Sequence, residues 1–90
     1  MLSQRQGQVL RIITQEFITT GTPVASELIV RNYGLRVSPA TVRNDMALLE
    51  KEGYLLRPHT SAGAVPSHRG YRHFVETMEA PPELPPANST

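Results

Sequence analysis

The 90-residue sequence contains no cysteine, no tryptophan and only five other aromatic residues. Without cysteine, neither a disulfide framework nor a thiolate zinc site can form. The apolar runs are only a few residues long, too short for a membrane-spanning helix. The first eight residues, MLSQRQGQ, also lack the apolar stretch of a signal peptide. These absences predict a soluble, cytoplasmic protein that does not enter a membrane.

Groups with catalytic chemistry are equally sparse. The three histidines, His59, His68 and His73, do not form H-E-x-x-H or any paired metal-ligand spacing. His68 and His73 are expected to be exposed on a helix. Ser38 and Ser61 lie outside a G-x-S-x-G motif. One small domain of this length has little room for a catalytic cavity, so the sequence predicts no enzyme, no metal site and no cofactor.

The net charge of +1 hides an uneven distribution of charge. Between residues 31 and 72 there are seven basic residues and three acidic ones, a local balance of +4. After residue 72 the only charged residues are Glu76, Glu79 and Glu83. A basic middle and an acidic end predict one positively charged face, which suits an anionic partner such as nucleic acid.

Two helices are predicted in the first third of the chain. Ser3 and Gln6 form a capping-box pattern, and the apolar residues that follow at helical spacing predict a helix over residues 4–19. Its core residues are predicted to be Val9, Ile12, Ile13 and Phe17. A second, shorter helix is predicted to begin at the N-cap Ser26 and to end at Gly34, with Leu28, Ile29 and Tyr33 in the core.

A third helix is predicted within residues 37–52, VSPATVRNDMALLEKE, and ends before Gly53. Ser38 is a good N-cap and Pro39 suits the first helical position. If Val42, Met46 and Leu49 face the core, the opposite face carries the residues Ala40, Asn44, Ala47 and Lys51, with Thr41 and Arg43 on its flanks.

This outward face has the chemistry of a recognition helix in a DNA major groove. Small residues permit close approach, while asparagine can pair with adenine and arginine with guanine. Thr41 can contact a thymine methyl group or a phosphate. Two short helices joined by a turn that contains Gly34 complete a helix-turn-helix pattern. A capped surface helix with a few polar residues is the alternative interpretation.

A β-hairpin and a fourth helix are predicted after the third helix. The strands are residues 54–57 and 64–66, and the turn-rich residues 59–63 join them. Gly63 is expected at the tip, in a conformation open mainly to glycine. Ser67 caps the fourth helix, whose apolar stripe consists of Tyr71, Phe74, Val75 and Met78. Tyr54 and Tyr71 are expected to pack the hairpin onto the helices.

The predicted fold is therefore mainly α with a small β-hairpin. It is a winged helix-turn-helix with a three-helix core, a wing and an additional C-terminal helix. Residues 1–79 form the winged-helix DNA-binding domain in this interpretation. Residues 80–90, APPELPPANST, are rich in proline and have no apolar stripe to bury, which predicts a disordered tail or linker.

From Leu2 to Met78 the sequence resembles the N-terminal winged-helix domain of the heat-inducible transcription repressor family, HrcA. The matching blocks are Pro23-Val24 with Ser26, Tyr33-Gly34-Leu35, residues 37–46 (VSPATVRNDM), Gly53, residues 59–63 (HTSAG), and Val65-Pro66 with Gly70-Tyr71-Arg72. The resemblance implies repression of bacterial heat-shock and chaperone genes by a homodimer on an inverted-repeat operator. It also implies modulation by a chaperonin.

The expected DNA-binding residues come from the chemistry of the side chains and from the resemblance to the repressor family. Arg57, Thr60, Ser61, Arg69 and Arg72 are donors suited to phosphate or minor-groove contacts. By resemblance, the third helix would read or anchor DNA and the loop with Gly63 would form the wing. The full set is Ser38, Ala40, Thr41, Arg43, Asn44, Lys51, Arg57, Thr60, Ser61, Gly63, Arg69 and Arg72.

The sequence departs from the family pattern at two basic positions. Glu27 stands where the family usually has arginine in Gly-Ser-Arg, and Ala64 stands where an arginine usually follows the wing glycine. Both changes remove positive charge that could meet phosphate, so a different operator is one alternative.

Family members also continue into a larger dimerisation and sensing domain, so the chain is either a fragment or a stand-alone relative. A further alternative is a protein-interaction module, because Leu48 is predicted to face away from the core.

Overall fold

The computed structural model describes residues 2–58 and 63–79, and in this part of the chain four helices surround a short hairpin. The elements are α1 (Gln4–Thr20), α2 (Ser26–Tyr33), α3 (Pro39–Lys51), β1 (Leu55–Leu56), β2 (Val65–Pro66) and α4 (His68–Glu79). The strands are antiparallel, with Leu55 opposite Pro66 and Leu56 opposite Val65. The predicted winged helix-turn-helix with an additional C-terminal helix is confirmed.

The N-terminal ends of α1 and α3 are capped by the predicted residues. Ser3 Oγ accepts a hydrogen bond from the Gln6 backbone N–H at 3.1 Å, and Gln6 Oε1 accepts one from the Ser3 N–H at 3.0 Å. Ser38 Oγ accepts from the Thr41 N–H at 3.2 Å, with Pro39 in the first turn. These bonds satisfy N–H groups that a helix leaves unpaired, so local sequence determines where both helices begin.

The predicted cap of α2 is wrong. Ala25 is the N-cap and makes no side-chain hydrogen bond, while Ser26 is the first helical residue and is buried. The hydroxyl of Ser26 donates to Glu27 Oε1 at 3.3 Å and accepts from Arg43 Nη1 at 3.4 Å, so its partners are side chains and not the free N–H groups of the helix. The predicted end of α2 is confirmed, since Gly34 has the left-handed φ of 63°.

The hydrophobic core lies where α1, α2, α3 and the hairpin meet. Its buried members are Val9, Leu10, Ile12, Ile13, Val24, Ile29, Val42, Met46, Leu49, Leu55 and Ala64. Phe17 and Leu28 are only partly buried against this cluster. The prediction for Tyr33 is wrong, because its side chain is 40% exposed and its hydroxyl donates to Glu16 Oε1 at 2.7 Å.

The hairpin is anchored to the segment before α2. The backbones of Val24 and Ala64 exchange two hydrogen bonds, of 2.9 and 3.0 Å. Gly63 is buried beside this bridge, and its φ lies outside the left-handed region. The predicted conformational reason for Gly63 is therefore wrong. A Cβ at this position would lie 2.8 Å from the backbone N and C atoms of Val24, so close packing requires the glycine.

α4 is capped as predicted but buries less of its apolar stripe. Ser67 Oγ accepts from the Gly70 N–H at 3.1 Å. Phe74 is buried, whereas Tyr71 is 48% exposed, with its ring 6.4 Å from that of Phe74 between centroids. His68 is exposed as expected, but His73 is half-buried, with its ring edge-on to Tyr54 at 5.6 Å between centroids.

Two predicted features lie outside the described residues. They are the wing turn at residues 59–62 and the tail at residues 80–90. Across the described part of the chain, no helix combines the length and apolar character needed to cross a membrane.

Candidate nucleic-acid interface

One face of α3 is buried in the core and the opposite face is exposed to solvent. Val42, Met46 and Leu49 are at most 1% exposed. The exposed residues on the other side are Ala40, Asn44, Ala47 and Lys51. Because two of these four residues are alanines, a flat surface could approach the helix backbone closely. The predicted division of α3 into a core face and an outward face is confirmed.

The first turn of α3 has a fixed arrangement of hydroxyl groups. Ser38 Oγ caps the helix and lies 3.2 Å from Thr41 Oγ1. Ser38 is exposed and Thr41 is half-buried. The two hydroxyls hold each other at the open end of the helix, where hydrogen-bond donors and the helix dipole favour an anion.

Arg43 and Asn44 differ in how they are held. Arg43 Nη1 donates to Ser26 Oγ at 3.4 Å and to Glu27 Oε2 at 3.3 Å, so this side chain is tied to α2. Asn44 is exposed, and its amide makes no hydrogen bond within the described part of the chain. The Asn44 amide therefore has both its donor and its acceptor available, as bidentate contact with adenine requires.

A part-buried ion pair that sequence reasoning missed connects α3 to α1. Arg5 Nε donates to Asp45 Oδ2 at 2.6 Å, and Arg5 Nη2 donates to Asp45 Oδ1 at 3.3 Å. The hydrogen bond to Asp45, and then its charge, raise the pKa of Arg5 above its usual value. Asp45 follows Asn44 directly, so this pair helps to set the rotation of the outward face. The signal was an acidic residue close to the core face of α3.

Arg57 lies beside α3 as part of a third ion pair. Its Nη2 and Nε atoms lie 2.7 and 2.9 Å from Glu50 Oε2. The pair connects the end of β1 to the last turns of α3. A DNA phosphate that binds Arg57 would have to share this guanidinium with Glu50 or replace the carboxylate.

Arg69 and Arg72 are two exposed basic residues on α4. The Arg69 guanidinium lies 4.5 Å above the Tyr54 ring, and its Nη2 donates to the Tyr54 hydroxyl at 3.3 Å. Arg69 shares a crevice with Leu48 and Glu52, at the C-terminal end of α3. The neighbouring crevice is lined by Tyr54, Arg69, Arg72, His73 and Glu76. Both arginines are exposed, and Tyr54 has the packing role predicted for it.

The positions expected around the wing fall into two groups, those that the structure describes and those outside the described residues. Gly63 is buried, and its contact with DNA stays a prediction. Thr60 and Ser61 lie outside the described residues. Ala64 is also fully buried, which places the second family departure in the core and not on the basic face.

The exposed face of α3, next to a wing, is the geometry of a winged-helix DNA-binding domain. Residues 1–64 match the family model of the LexA DNA binding domain. The chain belongs to this family. A crystal structure of a hypothetical protein at 2.2 Å resolution has the same fold, with a TM-score of 0.84 and 42% sequence identity. That match covers 87% of this chain and 25% of the other.

Curated relatives confirm the resemblance to heat-inducible transcription repressors. HrcA of Chloroflexus aggregans is 55% identical over 86 residues, which cover 96% of this chain and 23% of the relative. HrcA of Acidothermus cellulolyticus is 55% identical over 78 residues, with 87% and 23% covered. HrcA of Roseiflexus castenholzii is 57% identical over 77 residues, with 86% and 21% covered. The chain thus spans less than a quarter of the length of these relatives.

Proposed function

We propose that this LexA-family domain binds double-stranded DNA sequence-specifically as the reading module of a transcriptional repressor. The observation that carries the proposal is the outward face of α3, where Ala40 and Ala47 leave room for DNA beside the free amide of Asn44. Similarity to repressors named heat-inducible supports heat-shock and chaperone genes as the targets. We place the module in the bacterial cytoplasm, at the nucleoid.

In the proposed complex α3 lies in the major groove. Asn44 and Arg43 contact base edges, since these two side chains project from the groove-facing half of the helix. Ser38 and Thr41 contact phosphate at the start of α3. Lys51, on the same exposed face two turns beyond Asn44, contacts the backbone farther along the groove. Asn44 is expected to contribute most to base discrimination, because it has no competing intramolecular partner among the described residues.

Flanking cations supply the sequence-independent part of the affinity. Arg69 and Arg72 on α4, and Arg57 beside α3, are proposed phosphate contacts. Thr60 and Ser61, in the wing turn, complete the proposed surface. We assign residues 1–79 to this DNA-binding domain and residues 80–90 to a tail or linker.

Binding as a homodimer to an inverted repeat is part of the proposal, as is modulation by a chaperonin. Both are supported by the similarity to HrcA. A two-fold symmetric pair of winged helices would contact half-sites whose separation follows the helical repeat of DNA. Selected sites are therefore expected to show two inverted half-sites at a fixed spacing.

Selection of bound duplexes from a random DNA pool tests the proposal most directly. The expected result is enrichment of one motif, followed by tighter binding of that motif than of the unselected pool in fluorescence titrations across a salt series. Non-specific binding depends on salt in the same way but enriches no motif. An unenriched pool would therefore contradict sequence-specific recognition.

A winged helix that contacts another protein is the second candidate. Leu48 is 38% exposed on α3 and Leu56 is 56% exposed on β1. Exposed leucines suit an apolar partner better than a DNA groove. Replacement of Leu48 by glutamine distinguishes the candidates, since DNA affinity should change little if Leu48 does not contact DNA. Loss of a partner in pull-down experiments, with DNA affinity retained, would favour the second candidate.

A further inference from the structure

The guanidinium of Arg43 is held by a single nitrogen. Nη1 contacts both Ser26 Oγ and Glu27 Oε2, at 3.4 and 3.3 Å. Within the described part of the chain, the Nη2 and Nε atoms of Arg43 make no hydrogen bond. One edge of the guanidinium is thus anchored to α2 and the other edge is open to solvent.

The anchor combines an exposed ion pair with a buried hydroxyl, since the side chains of Arg43 and Glu27 are 53% and 61% exposed. Ser26 is 3% exposed, and its hydroxyl also donates to Glu27 Oε1 at 3.3 Å. The carboxylate of Glu27 therefore contacts Arg43 with one oxygen and Ser26 with the other. Glu27 also lies in the first turn of α2, where the helix dipole favours a negative charge. These contacts restrict the positions that Glu27 can offer to Arg43.

We propose that Glu27 is a positioning residue that sets the DNA sequence preference of Arg43 by anchoring one edge of its guanidinium to α2. The inference rests on the proposed DNA-binding function and adds the residue that orients a base-reading side chain. An arginine restricted to a few rotamers presents its free edge to a limited set of base positions. A released arginine can instead reach neighbouring phosphates or bases.

Glu27 also lowers the affinity for DNA of any sequence, because its charge repels DNA phosphate. Removing the carboxylate is expected to raise affinity for every duplex. Removing the anchor is expected to lower the preference for one base position. The two effects separate because one acts on all sequences and the other acts through Arg43 alone.

The experiment compares Glu27→Ala with Glu27→Gln. Glutamine removes the charge but keeps an oxygen that can accept from Arg43, whereas alanine removes both. The probes are the motif selected by the parent chain from a random duplex pool, single-base variants of that motif, and the unselected pool. Glu16→Gln is the charge-matched control, because Glu16 contacts Tyr33 and not α3. The Tm of each variant shows whether the fold is retained.

Both Glu27 variants are expected to bind the unselected pool about two- to fivefold more tightly at 0.1 M salt. Glu27→Ala is expected to lose roughly fivefold of the preference at the base read by Arg43, and Glu27→Gln to keep most of it. In an Arg43→Ala background, Glu27→Ala should change only the pool affinity. Glu16→Gln should change neither quantity measurably.

Unchanged base preference in Glu27→Ala, with a parent chain that selects a motif, would overturn the positioning role and leave the proposed function intact. Equal loss of preference in the alanine and glutamine variants would also overturn it, because charge and not anchoring would then be responsible. A parent chain that enriches no motif would overturn the proposed function, and this inference with it.

Discussion

Asp45 accepts two hydrogen bonds from the guanidinium of Arg5, 40 residues earlier in the chain. The Asp45 side chain is 6% exposed and the Arg5 side chain 48%, so a nearly buried carboxylate depends on a cation at the surface. Asp45 lies on α3 next to Asn44, the side chain proposed to read adenine. The pair connects the stability of the fold to the orientation of the proposed reading face.

Removal of Arg5 is expected to destabilise the protein more than removal of Asp45. Arg5→Ala leaves a buried carboxylate without its charged partner, whereas Asp45→Ala leaves an arginine that can turn to solvent. Thermal unfolding at neutral pH should show the larger decrease in Tm, of at least a few degrees, for Arg5→Ala. The reverse order of Tm would contradict the dependence of Asp45 on Arg5.

Two glycines with opposite surroundings test the packing of the hairpin. Gly63→Ala places a Cβ 2.8 Å from the Val24 backbone and is expected to destabilise by about 1–3 kcal/mol. Gly63→Val should disturb the hairpin further while sparing the helices. Gly7→Ala is the matched control, because a Cβ added there in α1 meets no atom outside its own helix segment within 4 Å, and it should stabilise by roughly 0.5–1 kcal/mol. Urea unfolding measures both changes, and equal stability of the Gly63 variants and the parent would contradict the close approach.

Apart from the cap of α2, sequence reasoning succeeded where the physical cause is local. Capping by Ser3 and Ser38 depends on residues three positions away, and the core face of α3 follows from helical periodicity. It failed at Gly63, whose reason is the backbone of Val24, about 40 positions away. The ion pairs of Arg43 and Asp45 were missed for the same reason, since no local pattern specifies which helices pack together.

Tyr33 is expected to ionise at higher pH than a free tyrosine. Its hydrogen bond to Glu16, its desolvation and the nearby carboxylate charge raise the pKa of Tyr33 above the ordinary value of 10.0. The bond requires the protonated hydroxyl, so its stabilising effect is complete below about pH 10 and is lost as the pH rises through the raised pKa.

Absorbance titration of the tyrosinate band checks this shift. Glu16→Ala should lower the pKa of the affected tyrosine, and Tyr33→Phe should remove that step from the titration curve. A curve that Glu16→Ala leaves unchanged would contradict the role of the hydrogen bond in solution.

Arg43→Ala and Asn44→Ala are each expected to weaken binding to the selected motif by about 1–3 kcal/mol and to relax preference at a few base positions. Arg11→Ala is the control. Arg11 lines the crevice between α1 and α4, so its replacement removes the same charge at a site away from α3. Titrations with the motif and its single-base variants measure both effects. Unchanged selectivity in both α3 variants would contradict the recognition-helix assignment.

The two family departures, Glu27 and Ala64, are expected to respond differently to arginine. Glu27 is exposed beside Arg43, so Glu27→Arg can add a phosphate contact and steepen the salt dependence of binding by roughly 0.9 in log–log slope. Ala64 is fully buried at its bridge to Val24, and an arginine there must carry its charge out of the core before it can meet DNA. Ala64→Arg is therefore expected to lower the Tm and to add less to the slope than Glu27→Arg.

A variant with both substitutions, Glu27→Arg and Ala64→Arg, tests whether the surface of α3 still recognises the family's operator or has another partner. If α3 retains operator recognition of the HrcA type, Glu27→Arg should raise affinity for the family's inverted repeat as well as for unrelated duplexes. Its gain should persist in the Glu27→Arg, Ala64→Arg double variant wherever the fold is retained. Because Glu27→Arg also removes the anchor of Arg43, the gain on the repeat should be smaller than the gain on unrelated DNA. Affinities for the repeat and for unrelated DNA, measured at several salt concentrations, check which of the two gains in affinity is larger. A folded double variant with no gain in affinity for the repeat would count against operator recognition of the family type.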